Sequence, residues 1–535
     1  MQDGFDAGEI AAKRIGLKRA GRKPSRPKVE AIQEASAATM WFVPGLGMKN
    51  EGNKHFLDYQ NDVTAADVEL ANREGYQSVE HVKRYTTLGM ATDQGKTSNI
   101  NALGILADAQ GVSIPQIGTT TFRPPYTPIS IGALCGQHKG DLFAPVRRTA
   151  AQDWHDENKA FYEPVGLWRR PFCYMRDGES REDAINREVM AVRESVGMLD
   201  ASTLGKIEVN GPDAGRFLDL MYTNMMSNLK PSKCRYGLVM NENGFLIDDG
   251  VVVRLSEDRY LVHTTSGGAD SIAAWFELWH QTEWPEMQIF ITPVTEQWSQ
   301  FAVVGEKARD VLESLEGDID FGREEFPFME YREGVMEGMK VRVFRISFSG
   351  ELSYEIATPA KNGAMLWEKL LKAGEVFDLT PYGTEAMHVL RAEKGFIIVG
   401  DETDGVTTPI DVGLSWALSK KKADYVGKHS LQREHLQRAD RPVLVGLETI
   451  DPQEKLPDGA YGVKEVKDKE PMEQIGFVTS SYYSPTLKRS IALAMIAEGQ
   501  SRMGDVIDFP LEDKVVKAKI VDPVFYDKEG SRQNV

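Results

Sequence analysis

The stretch that most constrains how this chain can fold is Asn241-Glu-Asn-Gly-Phe-Leu-Ile-Asp-Asp-Gly250, with the β-branched run Val251-Val-Val-Arg-Leu255 behind it. Asn-x-Asn-Gly is turn chemistry, because Asn and Gly tolerate the positive φ angles that tight turns need. Phe245-Leu246-Ile247 leads straight into two adjacent carboxylates, Asp248 and Asp249, and after Ser256-Glu-Asp258 comes a second strand-like run, Tyr260-Leu-Val-His-Thr-Thr265. The pattern predicts a strand pair with two carboxylates at the mouth of its first strand. Successive strand residues point to opposite faces, so only one of Asp248 and Asp249 can face a pocket. On pattern alone, a solvated turn is the simpler reading of the pair.

With 535 residues the chain exceeds one core, and two to four domains are expected. No run approaches the ~18 apolar residues of a membrane span. The acidic start, Met1-Gln-Asp-Gly-Phe-Asp-Ala-Gly-Glu, is no signal peptide. Cys135, Cys173 and Cys234 are odd in number and far apart, which argues for a reducing, cytoplasmic setting and against disulfides or a cysteine-ligated metal. A net charge of -17 repels phosphate backbones and argues against nucleic acid. The basic runs Lys18–Arg26 and Lys420-Lys-Lys422 read as solvated faces or subunit contacts.

The fold class expected is α+β. Asp6–Gly16 reads as a small-residue helix and Lys18–Lys28 as a linker. A helical region follows, with capped helices after Thr64 and Ser78. The larger remainder alternates helices (Arg181–Glu194, one from Ala214, one from Glu306, Ala364–Ala373, Glu385–Glu393) with strands (Gly205–Asn210, Phe301–Val304, Lys340–Ile346). From Pro442 strands dominate, suggesting a terminal β-domain. The expected boundaries are 1–30, 31–140, 141–440 and 441–535.

Two phosphate-binding patterns fail. Gly89-Met-Ala-Thr-Asp-Gln-Gly-Lys-Thr97 has five residues between its glycines where a phosphate loop needs four, and a helix precedes it. In Gly45-Leu-Gly-Met-Lys-Asn-Glu-Gly52 the third glycine falls too late for a dinucleotide fingerprint. The histidines show no metal-ligand spacing, so no metal site is expected, and no Gly-x-Ser-x-Gly elbow occurs.

From about residue 165 the chain resembles the glycine cleavage T-protein (aminomethyltransferase) family. The motifs run in family order: Gly197-Met-Leu-Asp-Ala-Ser202, Leu246-Ile-Asp-Asp249, Phe348-Ser-Gly-Glu-Leu-Ser-Tyr-Glu-Ile356, Leu390-Arg-Ala-Glu393, Pro409 through Trp416, and Thr479-Ser-Ser-Tyr-Tyr-Ser-Pro-Thr-Leu487. Over nearly its whole length it is also similar to the alpha-subunit family of heterotetrameric sarcosine oxidases. Ser78-Val-Glu-His-Val-Lys-Arg-Tyr-Thr-Thr87, Thr121-Phe-Arg-Pro-Pro-Tyr-Thr-Pro128, Val294-Thr-Glu-Gln-Trp298 and Ala392-Glu-Lys-Gly-Phe-Ile-Ile-Val399 carry that likeness. It covers the later half of those proteins, and Asp6–Gly16 resembles the last helix of their FAD/NAD module. The resemblance implies a small helical amino-terminal domain, a multi-domain folate-binding fold and a β-barrel-like end. The helical domain holds a [2Fe-2S] cluster in related proteins. Here Asp58, Gln60, Asp93 and Ser98 stand at the four cysteine positions, so a cluster is excluded on chemistry.

The activity implied is capture, by tetrahydrofolate, of the one-carbon unit from oxidative demethylation of sarcosine, giving 5,10-methylenetetrahydrofolate. Flavin (FMN or FAD) and NAD are expected only on partner chains or on the missing amino-terminal module. The partners implied are a flavoprotein beta subunit and small subunits of a hetero-oligomeric amine oxidase. By motif position Asp248 is the catalytic carboxylate, near the reacting nitrogens, while alternation turns Asp249 away. Glu355 would pair with the pterin N–H edge, with Thr264, Phe348, Tyr354 and Arg391 also in the folate site. Phe348 stands where the family has Tyr. Met387 stands where it has an arginine four residues before the position of Arg391, which weakens the contact to the folate tail. The alternative is a non-catalytic scaffold in a flavin-dependent N-methyl amino acid dehydrogenase complex, for example one acting on N-methylglutamate.

Overall fold

The computed structural model describes residues 2–18, 21, 39–42, 54–124, 126–467 and 471–535. Most of the expected linker at Lys18–Lys28, and all of Gly45–Gly52, lie outside the described residues. The backbone divides into two units, Met1–Lys139 and Gly140–Val535. Among the described residues no helix is long and apolar enough to cross a membrane.

The first unit is helical, as expected. A helix spans Gln2–Arg14. Thr64 caps the helix Ala65–Arg73 reciprocally: its hydroxyl accepts the Asp67 N–H (3.4 Å) while the Asp67 carboxylate accepts the Thr64 N–H (2.8 Å). Ser78 sits at the cap of Val79–Thr86, but its side chain makes no cap bond. These helices bury Ala65, Val68 and Val82 against Ala102, Ile105 and Leu106 of Asn99–Gln110. Three of the four positions compared with cluster cysteines knit the loops together. The Asp58 carboxylate accepts the N–H groups of Gln60 (2.9 Å), Asn61 (3.1 Å) and Gly89 (2.8 Å). Asp93 accepts from the Thr97 hydroxyl (2.7 Å), and Gln60 from the Thr92 hydroxyl (3.3 Å). Ser98 is fully buried.

The second unit is built on two antiparallel-rich sheets and a barrel. The first sheet has five strands, in the order Phe290–Pro293, Gly205–Asn210, Arg259–Thr264, Leu246–Ser256, Cys234–Met240. The second has six: Glu330–Met336, Met339–Arg345, Ser353–Pro359, Trp298–Val304, Gly197–Asp200 and Thr380–Pro381. Each sheet is covered on its outer face by helices. Phe217 and Phe276, from Ala214–Met221 and Ala269–Thr282, pack on Ile207, Val209, Val239, Val252 and Val262 of the first sheet. Val311 and Trp367, from Ala308–Glu313 and Gly363–Gly374, pack on Phe301, Val343, Tyr354 and Ile356 of the second. The inner faces then meet each other, Cys234, Val253 and Leu261 against Tyr331, Phe344 and Ala357.

Residues 442–521 close into a six-stranded barrel. Its Leu444, Leu493 and Met495 pack on Leu238 and Leu246 at the edge of the first sheet. Closure removes the free edges that a sheet of this size would otherwise expose. The pattern reading missed several strands, among them Cys234–Met240, Glu330–Met336 and the barrel strand Val506–Pro510. It also misread one lysine. Lys422 is buried, and its ammonium donates to the backbone carbonyls of Asp219, Tyr222 and Asn224 where the helix Ala214–Met221 ends, which is a structural cap and no solvated face.

Buried arginines tie the parts together. Arg193 donates to Glu393 (2.6 Å) and Glu351 (2.6 Å), and Glu351 also accepts from Arg532 (2.7 Å) near the carboxyl end. Arg391, fully buried, donates to Glu402 (2.8 Å), to the Ser480 hydroxyl on the barrel (2.8 Å) and to the Phe396 carbonyl (3.0 Å). Removing one side of such a pair strands the other charge without water. Arg391→Met keeps the bulk but leaves Glu402 without its cation. Chemical denaturation is expected to show a loss of about 3–5 kcal/mol for this variant.

Candidate functional site

Paired residues on neighbouring antiparallel strands share a face, and this fixes where each carboxylate points. Asp248 is opposite Val239, and Asp249 is opposite Leu238. Val239 belongs to the core under the outer helices. Leu238 belongs to the packing against the barrel, with Tyr236 on the same side. The alternation expected of the pair is therefore present, but with the phase reversed. Asp248 points outward into the layer beneath Ala269–Thr282, and Asp249 points inward.

Their surroundings differ accordingly. Asp248 is 1% exposed; one oxygen takes a long bond from the Thr265 N–H (3.4 Å), and the other has no hydrogen-bond partner. A methyl group on Gly268, at the start of that helix, would stand 2.9 Å from the unpaired oxygen, so the carboxylate is packed in. Burial pushes its pKa up to about 7, with the Asp249 charge adding to the effect. Asp249 is half-buried and accepts a 2.5 Å bond from the Tyr236 hydroxyl. Its pKa is raised to about 6, burial outweighing the help of that bond. Tyr236 in turn stacks at 6.0 Å on Trp416, which is 67% exposed. A carboxylate, a phenol and an open indole thus form one connected group at the edge of the first sheet.

Glu355 lies on the opposed sheet, cross-strand from Phe344 and Ala302. Phe344 and the next residue on that face, Ala357, belong to the inner-face packing, so Glu355 also points inward. It is half-buried and accepts from the side-chain amide of Gln300. Burial raises its pKa to about 7 against the opposing effects of Gln300 and Lys206. Lys206 is buried opposite His263 on the first sheet, and its ammonium donates to the carbonyls of Ser202 (3.1 Å) and Leu204 (2.8 Å). Desolvation lowers Lys206 to about 8, and desolvation with the Lys206 charge lowers His263 to about 4.

The remaining expected site residues disperse. Tyr354, next to Glu355, points the other way into the core with Phe321 and Phe326 and is fully buried, so it offers no surface to a ligand. Thr264 shares its face with Gly205 and packs toward Ala269 on the outer side, its hydroxyl donating to the Thr265 carbonyl (3.0 Å). Arg391 is spent in the buried network described above. Phe348 is 37% exposed and stacks on Phe396 at 6.2 Å, which leaves it able to meet a ligand. Met387 packs in the core beside Val389 and Leu390. Pattern reading gave no role to Tyr236, Trp416, Gln300, Lys206 or His263. Trp416 ends a quoted motif and His263 lies in the second strand-like run, but neither position pointed to a role.

Comparison with known proteins agrees with this architecture. Residues 151–422 match the GCVT N-terminal domain, residues 443–527 the glycine cleavage T-protein C-terminal barrel domain, and residues 52–138 the sarcosine oxidase A3 domain. The chain is 48% identical over 95% of its length to "Sarcosine oxidase subunit alpha" of Corynebacterium sp. strain U-96, covering 53% of that protein. It thus spans about half the length of the alpha-subunit relatives it matches. It is 32% identical to the aminomethyltransferase of Thermotoga maritima over 71% of this chain and 98% of that one. The solved aminomethyltransferase T of Bartonella henselae superposes with a TM-score of 0.62 at 24% identity, over 72% of this chain and 99% of that one. From its domain matches and its near-complete coverage of the aminomethyltransferases, the chain belongs to the glycine cleavage T-protein family.

Proposed function

We propose that this chain binds tetrahydrofolate between the inner faces of its two sheets and directs a one-carbon unit onto it, as the folate-using half of a sarcosine oxidase-type alpha subunit. The observation that carries the reading is the placement of two half-buried carboxylates, Asp249 and Glu355, on opposed inner faces. A reduced folate fits such a pair. Its pterin presents adjacent N–H donors to one carboxylate, while cationic character develops at its reacting nitrogens, where a second carboxylate is needed.

Glu355 takes the recognition role, accepting the N–H edge as a planar acceptor. Asp249 takes the electrostatic role: its anion stabilises positive charge on the incoming one-carbon unit and holds a proton lost from nitrogen. Tyr236 fixes that carboxylate and, with Trp416, offers aromatic faces to a flat ligand. Tetrahydrofolate, when bound, supplies the nitrogens that accept the carbon. An amine-oxidising flavoprotein partner would generate that carbon from sarcosine or another N-methyl amino acid. Placing the catalytic role on Asp249 replaces the motif-based assignment to Asp248, because Asp248 is sealed behind the sheet.

Asp249→Asn is expected to keep folate affinity within a few-fold and to lower methylenetetrahydrofolate formation in the assembled complex by about 10²–10³. Glu355→Gln should instead weaken folate binding first, as read by calorimetry. A reduced-folate affinity unaltered by both changes would favour the scaffold reading.

Asp248→Asn should leave folate binding and product formation near wild type and act on stability. The carboxyl holds its proton more tightly folded than unfolded, so its burial costs nothing below about pH 4 and most above pH 7. The unfolding free energy of Asp248→Asn relative to wild type should therefore improve by about 1–3 kcal/mol between pH 4.5 and pH 8.

A further inference from the structure

We propose that Gln300 is a positioning residue whose buried amide turns between two orientations, so that a ligand donating N–H groups to Glu355 expels one proton from the protein. The proposal rests on Glu355 being the recognition carboxylate, and it follows from the way the groups behind Glu355 fail to satisfy one another.

Gln300 is fully buried, and its amide N–H group is given to Glu355. Its carbonyl oxygen has no partner, and neither has Nε2 of the neighbouring His263. The other ring nitrogen, Nδ1, lies 3.2 Å from the Val251 carbonyl, which can only accept, so Nδ1 carries the proton. The ring is buried and held neutral, which leaves Nε2 a bare acceptor. With Gln300 oriented toward a Glu355 carboxylate, two acceptors, the Gln300 oxygen and His263 Nε2, are therefore left in a buried place without a donor. That arrangement is costly.

A half-turn of the amide repairs it without moving the chain, since amide nitrogen and oxygen are nearly equal in shape. The Gln300 NH₂ then donates to His263 Nε2, and its oxygen faces Glu355. Glu355 must now be protonated, so that its O–H donates to Gln300. Gln300, His263 and Glu355 each have a partner in this state, which the free protein populates alongside the first. A ligand edge with two N–H donors requires the opposite: Glu355 ionised, Gln300 turned back as a third donor, and the proton released to solvent. The other ionisable groups around Glu355 are Lys206 and His263 on two strands of the first sheet, Cys234 on a third, and Tyr382. Lys206 is itself influenced by Asp200 and Glu296, and His263 by Arg342. With Lys206 favouring the anion and burial the acid, Glu355 sits near 7, where both states are populated.

The test uses the full chain and folinic acid, titrated calorimetrically in buffers of different ionisation enthalpy. About half a proton should leave per ligand bound at pH 7, and almost none at pH 9, where Glu355 is already ionised. The two substitutions should move this in opposite directions. Gln300→Met removes the charge-assisted donor to the anion, the stronger of the two bonds, and should raise proton release at pH 7. His263→Phe removes the acceptor that draws the amide away and should reduce it. A ligand-independent readout is the carboxylic acid C=O stretch in an infrared pH titration of the free chain. A band lost in Glu355→Gln should titrate near neutral pH and shift by about one pH unit upward in Gln300→Met and downward in His263→Phe. No such band, or shifts of the same sign, would overturn the proposal even if folinic acid binds. Opposite shifts in a chain that does not bind folinic acid would uphold the amide switch and sink the folate reading instead.

Discussion

Two sheets pressed together by their inner faces, each sealed outside by helices, set every property of the site. Helices on both outer faces leave the strands no side that is simply wet. A polar side chain in such a strand is therefore either buried under helices, as Asp248 is, or turned into the inter-sheet layer, as Asp249 and Glu355 are. Both environments raise a carboxyl pKa through desolvation. A perturbed pKa consequently does not separate the carboxylate proposed to act on the ligand from the structural one. Partners and access do. Asp249 has a tyrosine that opens through Trp416 to solvent, while Asp248 has a helix packed over it.

The same packing accounts for the buried arginines Arg193 and Arg391. Arg193 and Arg391 lie where helices, loops and the barrel converge, and each satisfies several carboxylate and carbonyl groups that water cannot reach. Because such pairs return little beyond their desolvation cost, their consequence is geometric. They fix the Ser347–Glu351 loop against the helix Arg181–Glu194 and the segment after Glu393 against the barrel, and those two segments carry Phe348 and Phe396, which stack on each other. The position of Arg391 in a motif thus reflects assembly of the walls and not contact with a ligand.

Much of the fold was legible because local signals and tertiary structure agree. Ser180 and Asp183 form the reciprocal cap that starts Arg181–Glu194, and the helix and the strand Gly205–Asn210 end where their patterns end. The strand Cys234–Met240 was not visible, since Cys-Arg-Tyr-Gly-Leu-Val-Met mixes a glycine and charge into a short run that borrows its stability from its neighbour. With that strand went Tyr236, the residue that distinguishes the two aspartates. The phase of Leu246–Ser256 was likewise beyond reach: Val251-Val252-Val253 is apolar throughout because both faces are covered, so no alternation marks inside from outside. Adjacent motif residues such as Tyr354 and Glu355 share a motif but not a face, and motif matching alone assigned both to the ligand.

The proposed place of the ligand, between the inner faces, can be checked by a crystal structure of the chain with folinic acid. Electron density for the pteridine ring is expected against Glu355, with the remainder of the molecule passing Asp249 and Trp416. Density beneath the helix Ala269–Thr282, beside Asp248 and Thr264, would contradict that placement.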